Sequence, residues 1–99
     1  MNVTEQIADL IEQIEIKDGN PALTDEVRAM VHEIAGICEK SPAYQKNLGR
    51  AWKYSEGLTA EEVYLDMIYK VGKAPTHIHA EASAILLMPV LDRKLREKQ

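Results

Sequence analysis

Ile85-Leu86-Leu87-Met88-Pro89-Val90-Leu91 is the stretch on which the fold turns. At helical pitch these seven residues present apolar side chains in every direction, and a helix apolar all round is normally buried all round. The run is far short of the roughly 20 apolar residues needed to span a bilayer. It therefore predicts the centre of a core, within a last helix over 77–97. Pro89 has no backbone N–H, and its ring crowds the preceding turn, so a kink is expected near Pro89 that leaves the Ile85 carbonyl free. Arg93-Lys94-Leu95-Arg96-Glu97-Lys98 closes this helix with cations, where the helix dipole favours them.

Four helices are predicted before it. Thr59-Ala60-Glu61-Glu62 is a capping box that opens a helix over 60–71, with Val63, Tyr64, Met67, Ile68 and Val71 on one side. Gly72 is expected to end it, and Lys73-Ala74-Pro75-Thr76 is a loop. Ser41 as N-cap and Pro42 at the first helical position open a helix over 42–56. Tyr44, Leu48, Ala51 and Trp52 are assigned to its inner side, and Gly57 is its stop. Thr24 caps a helix over 25–40, with Asp25 and Glu26 complementing the dipole and Val27, Met30, Val31, Ile34 and Cys38 as its stripe. Ile7, Leu10, Ile11 and Ile14 mark a helix over 4–16, ended by Lys17-Asp18-Gly19-Asn20-Pro21. No segment alternates with period two, so strand content should be near zero. The prediction is an all-α protein, a compact bundle of about five helices around a central last one, in a single domain over 1–99.

Composition fits this class. The chain is 45% hydrophobic and 28% charged, lacks Phe, and has only Trp52 and four Tyr as aromatics, so its core is mainly aliphatic. A net charge of −4 and a pI near 5.3 oppose general binding to nucleic acid or to an anionic membrane, though not a local basic patch. Cys38 is the only cysteine, which suits a reducing compartment. Met1-Asn2-Val3-Thr4-Glu5 has no signal-peptide character, and a cytoplasmic location is expected.

Few residues carry chemistry. His77 and Glu81 are four apart and share a helix face, so with His79 they form a candidate metal site. A third or fourth ligand would have to come from His32 or Glu33 on another helix. A polar helix start explains the same residues, and His32, off its helix's stripe, is expected to be exposed. Cys38 lies on a core stripe and reads as a structural thiol. The serines lack any G-x-S-x-G context, and no phosphate-binding loop is present. No enzyme activity, bound metal or cofactor is expected.

Lys46, Arg50 and Lys53 are spaced i, i+4, i+7 and would share one side of the 42–56 helix. They read as a solvated face or as a docking strip for an acidic protein or for phosphates. Tyr54 beside them is the surface anchor, while Tyr44 and Trp52 belong with the core.

Two resemblances follow. Asn47-Leu48-Gly49-Arg50-Ala51-Trp52, with the capping box and Pro75, is similar to one tetratricopeptide repeat, although the small residue expected early in that family's second helix does not align. This covers a third of the chain and implies a helical hairpin only. The last two helices and their short loop resemble a helix-turn-helix, but with Pro75 in the turn and a recognition helix too apolar for a DNA groove.

The first functional expectation is a non-catalytic protein-binding module of the adaptor, inhibitor, immunity or antagonist type, with Lys46, Arg50, Lys53 and Tyr54 as its contact residues. The apolar surplus of 85–91 suggests homodimer contacts through that segment. A DNA-binding transcriptional regulator is the alternative, and a metal-dependent function at His77, His79 and Glu81 the second.

Overall fold

Side-chain oxygens set the helix starts in the computed structural model, which describes residues 23–97, the His77 side chain excepted, together with Glu5, Gln6 and Asp9. Thr24 Oγ1 accepts from Val27 N at 3.2 Å and begins α1, Asp25–Cys38. Ser41 Oγ accepts from Ala43 N at 3.3 Å and begins α2, Pro42–Ser55. Thr59 and Glu62 form the reciprocal capping box at 3.1 and 3.0 Å and begin α3, Ala60–Lys73. Thr76 Oγ1 accepts from His79 N and begins α4, His77–Glu97. Each cap supplies a partner to a backbone N–H that the helix itself cannot satisfy.

Residues 23–97 thus form four helices, and the described residues contain no strand. The predicted helix over 4–16 lies outside the described residues, save Glu5, Gln6 and Asp9, which are helical. No described helix is long and apolar enough to cross a membrane.

Boundaries differ from expectation in three places. α1 stops at Cys38 rather than at 40, where Glu39 N closes the last turn on the Ala35 carbonyl and Lys40 N bonds the Ile37 carbonyl. α2 stops at Ser55, and Gly57 follows in the left-handed region at φ 78°, open to glycine at no steric cost. α3 runs through Gly72 to Lys73. It is the residue before Pro75, Ala74, that leaves the helix with extended backbone, because the proline ring disfavours helical geometry there.

α4 is helical throughout from His77 to Glu97, with Pro89 inside it and fully buried. A helix break occurs in α2, where Asn47 takes φ −110° and ψ 15°. Its side-chain Nδ2 donates to Ala43 O at 2.8 Å, competing with the backbone bond for the same carbonyl. Leu48, assigned to the inner side, is among the exposed large hydrophobics, at 37%.

α4 is the hub. α1, α2 and α3 each pack against it, and they touch one another little. α2 and α3 therefore do not form the packed hairpin implied by the tetratricopeptide resemblance. Ile85, Leu87, Met88, Pro89, Val90 and Leu91 are all buried and Leu86 is half-buried, closed in by Val31, Ile34, Ala51, Val63 and Met67 among others. The apolar surplus assigned to a homodimer is thus consumed inside one chain. The same burial removes the middle of α4 from any DNA groove.

Candidate partner-binding site

The outer surface of α2 is where charge is left over. Lys46, Arg50 and Lys53 are exposed, and none meets a carboxylate among the described residues. The break at Asn47 falls between Lys46 and the other two, Arg50 and Lys53.

Tyr54, expected as a free surface anchor, is instead half-buried and engaged. Its hydroxyl donates to Asp66 Oδ2 on α3. Lys70 Nζ pairs with the same oxygen at 3.0 Å and sits 4.4 Å above the Tyr54 ring. Burial raises the Tyr54 pKa, and the Asp66 hydrogen bond and charge add to this, so it stays a neutral donor. Burial alone would raise Asp66, but the Tyr54 hydroxyl and Lys70 outweigh it and hold the carboxyl below its ordinary range. Burial alone would lower Lys70, but Asp66 and Tyr54 outweigh it and hold it up. Each group is fixed in its ordinary charge state, which makes the trio a clamp between α2 and α3 rather than acid–base machinery.

The clamp forms one wall of a cleft of about 160 Å³ between α2, α3 and α4. Arg50 and Lys70 stand at its rim, Leu86 and Leu87 line it from α4, and the Ser83 residue completes that side. A second hollow of about 350 Å³ runs along the far end of α4, lined by Trp52, Ser55, Arg93, Lys94 and Glu97. There the Arg93 guanidinium lies 4.7 Å over the Trp52 ring and 3.6 Å from Glu97. Trp52 is thus half-buried at a rim rather than fully in the core, while Tyr44 is buried.

The histidines divide. His79 Nδ1 lies 2.7 Å from Thr76 Oγ1, so His79 belongs to the α4 cap. Glu81 is half-buried, the His77 side chain lies outside the described part, and no three metal-ligand side chains converge among the described residues. His32 is exposed as expected, but it also donates from Nδ1 to Asp92 Oδ1 at 3.0 Å. Asp92 is buried in α4 and receives Arg96 as well, at 3.3 Å. This tie between α1 and α4 joins residues 60 apart in sequence, and no local pattern announces it.

Cys38 is fully buried, and desolvation, reinforced by Glu39 and Glu81, pushes its thiol up from 9.0 to about 12. The reactive thiolate is therefore absent near neutral pH. Native protein should resist a thiol-labelling reagent such as Ellman's that labels guanidinium-unfolded chain promptly, and rapid native labelling would contradict this burial. Because the folded value is the raised one, the contribution is complete below about pH 9 and is lost as pH climbs toward about 12. Over that window the wild type should lose stability relative to Cys38→Ala.

No family model, curated protein or solved structure matches this chain.

Proposed function

We propose that this chain is a non-catalytic protein-binding module that engages an acidic partner through the outer surface of α2. What supports the reading is a set of exposed cations, Lys46, Arg50 and Lys53, left without carboxylate partners among the described residues on a chain of net charge −4. Surplus charge of the sign opposite to the whole molecule marks a place where a partner of that overall sign is attracted and the rest of the surface repels it. Whether the module acts as an adaptor, an inhibitor or an antagonist is set by the partner it meets.

The reading is tested with the immobilised full chain and an Arg50→Glu/Lys53→Glu variant, exposed to nuclease-treated extract of the native host at low salt. Both residues are exposed, so the charge reversal should leave helicity and melting nearly unchanged. A protein retained by the wild type and reduced about tenfold on the variant, a loss of about 1.4 kcal/mol, is the expected result. Retention by neither, or equal retention by both, would overturn it.

A further inference from the structure

We infer that the cleft between α2, α3 and α4 receives a single apolar side chain of the partner, with a carboxylate next to it held by Arg50. This rests on the protein-binding reading above and adds the chemistry of the bound segment.

The cleft's size selects the group. Its roughly 160 Å³ is close to the volume of an apolar cavity that takes up benzene, so one ring or one leucine-sized side chain fills it. Leu86 and Leu87 give that side chain apolar surface to lie against. The rim selects the charge. Lys70 is committed to Asp66 at 3.0 Å, whereas Arg50 meets no carboxylate among the described residues. Arg50 and Lys70 bring two positive charges and Asp66 one negative, so the mouth carries one net positive charge on an otherwise acidic chain. A guanidinium offers paired donors in a planar fork that matches a carboxylate.

The wall is also already built. Tyr54 is held by Asp66 through its hydroxyl and by Lys70 over its ring, so closing the cleft on a ligand requires little further ordering of that side. A segment of the form acidic–apolar–acidic satisfies both requirements at once. A neutral apolar segment would leave Arg50 without an anion, and a purely acidic one would leave the leucines wet.

The test is an amide chemical-shift titration of the ¹⁵N-labelled full chain with a capped Glu-Leu-Glu tripeptide. Binding should be weak, with Kd of roughly millimolar size. Shifts should concentrate at Arg50–Tyr54, Lys70 and Ser83–Leu87. The capped Gln-Leu-Gln peptide should bind about tenfold more weakly, and so should the original peptide to Arg50→Gln. Ser83→Phe, which places a ring at the cleft and leaves residue 50 an arginine, should also abolish the shifts while the rest of the spectrum is kept. Equal binding of the glutamate and glutamine peptides, shifts spread over the whole surface, or binding untouched by both substitutions would overturn the inference. Benzoate matching the tripeptide in affinity would overturn it too, since the cleft would then be a pocket for small free acids. If the tripeptide fails while Arg50→Glu/Lys53→Glu still abolishes partner capture, the cleft assignment falls and the protein-binding reading stands.

Discussion

Leu91→Ala should lower the free energy of unfolding by about 3 kcal/mol, the middle of the range for emptying a buried leucine site. Leu91 is 0% exposed and lies in α4 beside Met88 and Val90, which are equally enclosed. Deleting its side chain removes apolar burial from the segment that α1, α2 and α3 all pack against, and the cavity has walls on every side that cannot easily collapse. For a domain with about 5–15 kcal/mol in total, this is a large share. Urea denaturation of wild type and variant, with the slope compared as well as the midpoint, measures it. Leu86→Ala, five residues earlier and half-buried, should cost markedly less. A loss below about 1 kcal/mol at Leu91 would show that α4 is not the centre of the core.

Removing both partners of Asp92 should do comparable damage, while removing Asp92 itself should do little. The Asp92 side chain is 6% exposed, but those of His32 and Arg96 are 67% and 57% exposed. Water can solvate either partner once Asp92 is gone. It cannot readily solvate the carboxylate once both donors are gone, and a stranded buried charge costs about 3–5 kcal/mol. His32→Ala/Arg96→Ala should therefore fall near the lower end of that range, with each single change costing much less because one donor remains. Asp92→Leu should stay within about 1 kcal/mol of wild type, and adding it to the double variant should restore most of the loss. Thermal and urea unfolding of the wild type and the five variants decides it. A double variant that loses less than Asp92→Leu would refute the asymmetry.

The helices were legible because their stripes and caps are local. Val27 with Val31 and Ile34, or Val63 with Met67, lie three or four residues apart, and those residues are buried together. Thr24, Ser41, Thr59 and Gly57 act within a few residues of themselves and behave as read. The centrality of α4 was legible for a related reason, since seven consecutive apolar residues leave a helix no outward side.

What was not legible depends on competition or on distance. At Asn47 a side chain contests the carbonyl of Ala43, and the outcome breaks α2. Gly72 has helix propensity against it, yet the turn waits for Pro75, a stronger restriction. Of the candidate site, the cations of α2 were readable from spacing, and Asp66 with Lys70 is an ion pair that an i, i+4 search could find. The Tyr54 bond to Asp66 joins two helices, and the cleft needs three, so neither appears until those helices are set on α4. His32 and Asp92 are the extreme case.

The hub is also the last of the four helices to be made. At about 5–20 residues per second, α4's 21 residues take roughly one to several seconds to add once α3 has been made. Until then α1, α2 and α3 lack the element on which each of them packs, and in the finished fold they touch one another little. Short helices without tertiary support are marginal in water. A chain truncated after Lys73 keeps three amphipathic helices but not the surface they share, and should be cleaved far faster by a protease than the full chain.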